Sequence, residues 1–217
     1  VYNPIVDFVN SLEGAWKGES HIDKLCQYIT VREFPGKPDN YYFERFKRHL
    51  KKWMAASIAT IIGTDQKRDK NDVVLGVISE SEGFGKSTFI EFLVPEPLKH
   101  YYIKSNKDPR YFDITKAFVS NFIVNFDDNV GLTRPNAETI KSILSAKSVD
   151  MGMKKFPRMG NGLMSSNKNP EMGGWLLPEL GTRRWALTEF LAINQEYYQH
   201  IDVLQMWAEA YVLFKEP

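Results

Sequence analysis

Residues 79–89 read SESEGFGKSTF, which is close to the phosphate-binding pattern G-x-x-x-x-G-K-[ST]. The pattern has glycine at its first position, where this chain has Glu80. A continuous apolar run precedes the loop, VVLGVIS at residues 73–79, and predicts a strand buried on both faces. A helix-like run, STFIEFL, follows the loop. Because a P-loop lies between a buried strand and a helix, this stretch predicts an α/β fold built around a nucleotide-binding loop.

The loop has the residue types that phosphate binding needs. Gly83 and Gly85 let successive backbone N–H groups converge on phosphate oxygens. Lys86 is expected to reach the β- and γ-phosphates, and the Ser87 hydroxyl is expected to ligate Mg²⁺. The candidate nucleotide-binding residues are Ser81, Glu82, Gly83, Phe84, Gly85, Lys86, Ser87 and Thr88.

Polar side chains follow two further predicted strands. FIVNF at residues 122–126 runs directly into Asp127 and Asp128. One of these carboxylates is expected to join Ser87 at Mg²⁺ and the other to act as a base, with Asp127 the candidate metal ligand. GLMSS at residues 162–166 ends at Asn167, whose amide could orient the attacking water or contact the γ-phosphate. The alternatives are an acidic turn and a loop asparagine.

Paired arginines, Arg183 and Arg184, lie in the stretch GTRRWALTEF. Guanidinium groups stabilise the charge on a transferring phosphoryl group, often across a subunit boundary. A structural or surface pair is the alternative interpretation.

The apolar spacing of the first 65 residues predicts a helical segment. The predicted helices there cover residues 4–12, 21–31 and 42–62. A polar linker at residues 63–72 separates them from the alternating strands and helices that follow. We therefore expect an N-terminal helical subdomain at residues 1–68 and a P-loop core with a mostly parallel sheet and a C-terminal helix at residues 69–217.

The predicted helix at residues 42–62 has a cationic side. Lys47, Arg48, Lys51 and Lys52 fall largely off its apolar stripe. These residues form either an ordinary solvated face or a strip that contacts phosphates, and the sequence leaves both interpretations open.

Composition excludes some classes of protein. The chain has 217 residues, of which 43% are hydrophobic, and a single cysteine, Cys26, which rules out an internal disulfide framework. No apolar stretch approaches the roughly 18 residues of a membrane span, and no secretory leader is recognisable. The net charge is +1, so nucleic-acid contacts must come from local clusters. We expect the chain, which begins at Val1, to be a fragment of a larger protein.

The order of P-loop, acidic strand end, asparagine strand end and Gly-x-Arg-Arg resembles a superfamily 3 helicase core. More narrowly, it resembles the virulence-associated E (VirE-like) family of primase-helicase proteins of bacterial mobile elements and phages. The stretches that carry this resemblance are GFGKSTFIEFLVPEPLKHYY, NFIVNFDD, IKSILSAKSV, MSSNKN, GTRRWALTEF and MWAEAYVLF, with FKRHLKKWMAASIATI similar to the family's helical lead-in.

The resemblance implies an AAA+-like ATPase that binds ATP and Mg²⁺, assembles into a hexameric ring and translocates on single-stranded DNA. By position, the family's residues match Lys86 and Ser87 (Walker A), Asp127 and Asp128 (Walker B), Asn167 (sensor) and Arg184 (directed at the neighbouring subunit's ATP), with Arg183 beside it. It also implies a primase-like module elsewhere in the full-length protein, and a location in the bacterial cytoplasm, including that of a phage host.

In such helicases, a basic hairpin before the sensor strand enters the channel of the ring. Here the corresponding stretch is MGMKKFPRMGN, residues 151–161, with Lys154, Lys155 and Arg158 as the candidate DNA-binding residues. Phe156 could pack against a base or close the hairpin. The stretch is shorter than in relatives and lacks their Arg-x-Pro-Tyr signature.

Two alternatives to a helicase motor remain at this stage. One is a nucleotide-dependent scaffold that hydrolyses little ATP, which Glu80 and the short hairpin favour. The other is a small-molecule P-loop kinase, in which the paired arginines would close over the acceptor. For Glu80 itself, we predict a side chain that points away from the phosphates or pairs with a nearby cation.

Overall fold

A computed structural model describes residues 2–63, 70–81, 83, 85–105, 112–127, 134–167 and 183–216, without the side chains of residues 134–137. Within these ranges, six strands form the central sheet in the order β1-β8-β2-β7-β4-β3, and two more form a separate hairpin, β5-β6. The strands are β1 (Ile29–Val31), β2 (Val74–Ile78), β3 (Tyr102–Lys104), β4 (Ile123–Asp127), β5 (Ser148–Met151), β6 (Lys154–Pro157), β7 (Asn161–Ser166) and β8 (Trp185–Ile193).

The central sheet is mostly parallel, as predicted. β2 is parallel to both β7 and β8, and β4 is parallel to β3 and β7, while the edge strand β1 runs antiparallel to β8. All five residues of β2 are buried. This burial explains its continuous apolar sequence, since a central parallel strand is covered on both faces.

Helices cover both faces of this sheet. They are α1 (Pro4–Ser11), α2 (His21–Gln27), α3 (Tyr41–Ile62), α4 (Lys86–Phe92), α5 (Ile114–Ser120), α6 (Arg134–Ser145), α7 (Tyr197–His200) and α8 (Val203–Lys215), with a 3₁₀ helix at Glu96–Tyr101. Along β2, Leu75 and Val77 join one core with α1–α4 and α8. Val74 joins a second core with α5 and α6. This alternation follows from the two-residue period of a strand.

The N-terminal segment differs from the prediction at one element. The helix expected over residues 21–31 ends at Gln27, and Ile29–Val31 form β1 against β8. Ile29 and Val31 are buried while Thr30 is exposed, because strand alternation puts the two aliphatic side chains on the core face. The other predicted helices there are observed as α1 and α3. The division at residue 68 stays a prediction.

Two buried tryptophans connect α3 to the sheet and α8 to the end of α4. Trp53 on α3 donates from Nε1 to the Gly162 carbonyl of β7 (2.9 Å). Trp207 on α8 donates to the carbonyl of Leu93, directly after α4 (2.9 Å). Among the residues that the structure describes, no helix is both long and apolar enough to cross a membrane.

Candidate nucleotide-binding site

The predicted phosphate-binding loop connects β2 to α4 at the carboxyl edge of the sheet. Gly83 and Gly85 have φ angles of +71° and +85°, in the left-handed region that glycine adopts without strain. Gly85 caps α4, which begins at Lys86. A Cβ atom at Gly85 would lie 2.9 Å from Nε2 of Gln195, so this side chain from the segment after β8 lies close to the loop. Glu82 and Phe84 lie outside the described residues.

Lys86 folds back over the loop. Its side chain is buried, and its Nζ donates to the Ser81 carbonyl (3.0 Å) and weakly to the Ser79 carbonyl (3.4 Å). Ser81 and Thr88 are exposed at either end of this turn. The ammonium group is therefore held within the loop by carbonyl oxygens.

Asp127 is the centre of a polar cluster that joins the P-loop to the two neighbouring strands. Ser87 Oγ donates to its Oδ1 (3.0 Å), and Ser165 on β7 also hydrogen-bonds to that oxygen. Lys104 Nζ lies 3.1 Å from Oδ2. These residues meet because β3, β4 and β7 are parallel, with Asp127 opposite Ser165 in register. Their carboxyl ends therefore converge where ligands bind in open α/β sheets.

The contact between Ser87 and Asp127 agrees with the geometry expected from the sequence, whereas Ser165 and Lys104 were missed. Ser165 was visible as a polar residue in a predicted buried strand, and that was the available signal. Lys104 carried no such signal, since its strand is three residues long and pairs at the sheet edge.

The environment keeps Asp127 ionised. Burial alone would raise its pKa, but hydrogen bonds from Ser165, Lys104 and Ser87 together lower it below its usual value of 3.8. For Lys104 the directions are reversed. Burial alone would lower its pKa, but its contacts with Asp127 and Glu91 raise it above the usual value. Both partners of this ion pair are thus charged at neutral pH.

This shift predicts a pH-dependent contribution to stability. Because the folded-state pKa of Asp127 lies below the unfolded value, its stabilising effect is complete above the unfolded value and disappears as pH falls through the folded one. Asp127→Asn is therefore expected to lower the free energy of unfolding at neutral pH and to lose this deficit in acid. Urea unfolding across this range measures it; a deficit of equal size at all pH values would contradict the assignment.

The polar cluster fits Mg²⁺. This ion prefers oxygen ligands and is commonly held by one or two protein groups together with substrate phosphates and water. The Ser87 hydroxyl and the Asp127 carboxylate are such groups, already in contact. In the ranges that the structure covers, no group of three or more His, Cys, Asp or Glu side chains could hold a metal on its own. Asp128 lies outside those ranges.

Asn167 directly follows β7 and is partly exposed. The preceding Ser166 accepts a hydrogen bond from the Ser79 backbone N–H of the loop (3.1 Å). Asn167 therefore lies at the same edge of the sheet as the P-loop, where a sensor residue is expected.

The paired arginines lie at the opposite end of the strands from the P-loop. Both precede β8, and the Arg184 carbonyl accepts from the Val74 N–H at the start of β2 (2.8 Å). Arg184 donates to Ser145 Oγ (2.7 Å), while Arg183 is exposed. Since β2 and β8 are parallel, neither arginine reaches the P-loop of its own chain. Their predicted action on a neighbouring subunit's nucleotide stays a prediction.

Glu80 pairs with a cation, which confirms one of the two arrangements predicted for it. Its Oε2 lies 3.8 Å from Nη2 of Arg32, just after β1. Arg32 Nε also bonds Glu189 on β8 at 2.6 Å. Glu189 is 7% exposed, whereas Glu80 is 54% exposed. The sequence did not reveal this array, because its members lie up to 157 residues apart.

Glu80→Gly is expected to leave ATP affinity within about threefold of the wild type, since a half-exposed ion pair contributes little, ~0–1 kcal/mol. Titration with a fluorescent ATP analogue measures this affinity. Glu80→Gln is the control, because it removes the charge without adding a glycine. A gain above about tenfold in Glu80→Gly, absent in the control, would show instead that the residue's backbone freedom limits binding.

The predicted basic hairpin is observed as β5 and β6. Lys154 and Lys155 are exposed on β6, Met153 at the turn is fully exposed, and Phe156 is 36% exposed. The turn uses Gly152 at φ +66°. Two cations thus project from the hairpin, as a contact with a phosphate backbone would require.

Arg158 was predicted to bind DNA together with Lys154 and Lys155, but its side chain is buried. It is 1% exposed and lies beneath the hairpin, where Nη2 donates to the Asn71 carbonyl (2.9 Å). Its Nε and Nη1 have no hydrogen-bond partner among the described residues. Burial lowers its pKa to about 10, partly offset by Asp72. The observed position does not support a DNA contact, because the guanidinium is enclosed by the fold.

Arg158→Met is accordingly expected to leave DNA affinity unchanged. It should change the free energy of unfolding by less than about 2 kcal/mol in either direction, because apolar replacements of buried charges are often neutral or stabilising. Fluorescence anisotropy with a labelled oligonucleotide and urea unfolding check the two results. Lys154→Gln/Lys155→Gln is the comparison variant and is expected to weaken binding. A similar loss in Arg158→Met would show that the side chain reaches DNA in another conformation.

The sheet order, the β2–loop–α4 unit and the Ser87–Asp127 contact together define an α/β protein with a P-loop NTPase-like fold. The chain belongs to the virulence-associated protein E-like domain family, whose model matches residues 9–217. This match confirms the family resemblance seen in the sequence. No curated protein sequence matches the chain.

A solved structure of similar fold supports this assignment. The apo C-terminal region of NrS-1 (305–718) is similar with a TM-score of 0.50 and 15% identity, over 88% of this chain and 48% of that one. The X-ray structure of JCV helicase matches with a TM-score of 0.43 and 11% identity, over 98% of this chain and 62% of that one. The chain spans about half the length of the NrS-1 region.

Proposed function

We propose that this chain is the ATP-hydrolysing motor domain of a DNA helicase or translocase, acting in the replication of a bacterial mobile element or phage. The observation that carries the proposal is the contact between Ser87 of the P-loop and Asp127 at the end of β4. Residues 40 positions apart in the sequence meet as the two oxygen ligands that a nucleotide-bound Mg²⁺ needs. Family membership supports the same class of protein.

Each residue around the loop has a role in this proposal. Lys86 exchanges its loop carbonyls for the β- and γ-phosphates of ATP, which offer it a full negative charge. Asp127 and Ser87 hold Mg²⁺, which when bound supplies positive charge to the phosphate oxygens. Asp128 accepts the proton of the attacking water, and Asn167 orients that water. Lys104 keeps Asp127 ionised and in position.

Hydrolysis in this proposal takes place between subunits. Arg184, with Arg183 beside it, lies at the end of the strands away from its own P-loop. In this proposal it therefore acts on a nucleotide held by a neighbouring subunit. A closed ring, hexameric by family resemblance, supplies such a neighbour for every site. Single-stranded DNA passes the exposed Lys154 and Lys155 of the hairpin, and a primase-like module of the full-length protein acts beside the motor in the bacterial cytoplasm.

A second candidate function is a nucleotide-binding scaffold on DNA that hydrolyses little ATP. Glu80 at the first loop position favours it, because this residue adds negative charge close to an anionic ligand. Its pairing with Arg32 reduces the force of that argument only in part, since the one guanidinium is shared with Glu189.

ATPase measurement with and without single-stranded DNA, on protein of verified oligomeric state, separates the two functions. A motor is expected to show turnover that rises several-fold with DNA. ATP binding without turnover in the assembled ring would select the scaffold. Turnover that DNA does not change, in a ring-competent preparation, would argue against translocation while leaving the ATPase in place.

A further inference from the structure

A basic cleft opens where the parallel strands β2 and β8 begin, at the end of the sheet opposite the P-loop. It has a volume of about 470 Å³ and lies between α3 and the starts of β2 and β8. Its lining includes Arg45, Arg48, His49, Lys52, Asp72 and Arg183. Four of these are permanent cations, and Asp72 is the single acidic residue in this described lining.

The cations of the cleft form one stripe on α3. Arg45, Arg48 and Lys52 follow a spacing of three and four residues, which puts them on one face of a helix. They extend over about 10 Å of the helix axis, roughly the rise of three nucleotides in a duplex strand. Burial and the charges of these three residues lower the pKa of His49, so its imidazole adds no further charge at neutral pH.

These charges are not neutralised within the described part of the chain. The cations on the other side of α3 have carboxylate partners: Lys47 pairs with Glu44 (2.8 Å) and Lys51 with Asp23 (2.7 Å). No described carboxylate forms an ion pair with the cations of the cleft. The structure thus separates the α3 cations into a paired side and an unpaired, concave side, which the sequence could not do.

The one acid of the described lining also interacts with a cation outside it. The charge of Asp72 raises the pKa of the buried Arg158 guanidinium against the effect of burial. Arg158 also bonds the carbonyl of Asn71, another lining residue (2.9 Å). Because Arg158 directly follows β6, this bond joins the base of the basic hairpin to the cleft. The hairpin and the cleft therefore lie at the same end of the sheet.

We propose that this cleft binds the phosphate backbone of a nucleic-acid strand, as a second contact that continues from the hairpin. A linear row of cations, at the same end of the sheet as the hairpin that carries Lys154 and Lys155, suits a strand better than a compact ligand. The floor indoles are buried, with Trp53 2% and Trp185 7% exposed, so bases have no stacking platform there. Recognition is then electrostatic and independent of sequence. This inference rests on the DNA-handling part of the proposed function and not on ATP hydrolysis.

The test is fluorescence anisotropy with a labelled single-stranded oligothymidylate, without nucleotide, over a series of salt concentrations. Arg45→Gln/Arg48→Gln/Lys52→Gln is expected to weaken binding at least about tenfold at low salt. It should also reduce the slope of log K against log salt by about 2, since each phosphate contact on a single strand contributes about 0.7. Arg183 is left unchanged because of its proposed role in hydrolysis.

The matched control is Lys47→Gln/Lys99→Gln/Lys141→Gln, which removes three lysines that each pair with a glutamate three residues earlier. It is expected to keep the wild-type slope. An equal loss in the control, or an unchanged slope in the cleft variant, would overturn the proposal. Melting temperatures of both variants confirm that the fold is retained, as expected for Arg48 and Lys52, which are exposed, and for Arg45, which is partly exposed.

A further measurement distinguishes the source of the phosphate. If the cleft variant loses affinity for a fluorescent ATP analogue but not for the oligonucleotide, the cleft serves a nucleotide and the proposal is wrong. Wild-type protein that hydrolyses ATP but binds no strand would also overturn it, while leaving the ATPase standing. If the protein bound the oligonucleotide through the cleft but hydrolysed no ATP, the result would support the cleft proposal and argue against the proposed motor function.

Discussion

Lys86→Ala is expected to abolish ATP turnover, with kcat reduced at least about 100-fold, the range seen when a preorganised group that stabilises transition-state charge is removed. Lys86 is buried in the loop, where its Nζ donates to the carbonyls of Ser79 and Ser81. A charge-assisted hydrogen bond from this ammonium group to a bound triphosphate is stronger than a hydrogen bond between neutral groups. Alanine offers no group to meet the charge that develops on the γ-phosphate. Phosphate release at saturating ATP, on assembled protein, measures the effect.

The control for this variant is Lys99→Ala, which removes an exposed lysine paired with Glu96 outside the loop. It is expected to keep wild-type turnover. Binding of a fluorescent ATP analogue to Lys86→Ala separates lost affinity from lost chemistry. If Lys86→Ala kept more than about a tenth of wild-type kcat, the P-loop would not be the site of hydrolysis.

Trp207→Ala is expected to cost about 3–5 kcal/mol of the free energy of unfolding, the usual range for truncating a buried aromatic residue. Trp207 is fully buried on α8, with its ring centroid 5.0 Å from that of Phe122 and 6.1 Å from that of Trp53. Its Nε1 is also the donor to the carbonyl of Leu93 after the P-loop helix. The variant therefore opens a cavity and leaves a buried carbonyl without its donor. Urea unfolding measures the loss.

Two further variants divide this effect. Trp207→Phe keeps most of the apolar volume and should cost about 1–3 kcal/mol, mainly through the lost hydrogen bond. Trp16→Ala is the matched control, since Trp16 is partly exposed and donates to the nearby Glu19 carbonyl. It is expected to cost less than about 2 kcal/mol. A Trp207→Ala protein as stable as Trp16→Ala would show that α8 is not part of the cooperative core.

The elements around the loop were predictable because their signals are local. The apolar run of β2 requires burial on both faces. Asp127, at the carboxyl end of β4, had to lie near the P-loop once the strands were parallel. β1 was not predictable in the same way. Three residues cannot form a strand alone, and Ile29–Val31 do so because β8, some 160 positions later, offers a free edge. The helix prediction overran there for that reason.

Arg158 shows the same limit at the level of a side chain. In the sequence it is one of three cations in a short basic stretch, equivalent to Lys154 and Lys155. In the fold it lies beneath the hairpin against Asn71, 87 positions away. Neither its burial nor its pKa could be read from neighbouring residues, because both depend on which distant backbone encloses it.

Residues 73–92 specify a strand, a glycine turn and a helix from their own periodicity and backbone freedom, and these signals need no distant partner. Charge could not be interpreted in this way. Lys51 and Lys52 are adjacent in the sequence, yet the first is paired with Asp23, 28 positions earlier, and the second faces the basic cleft. Which cations are available to a ligand depends on the side chains that folding brings beside them. Here these come from α3, from the residues before β2 and from the start of β8.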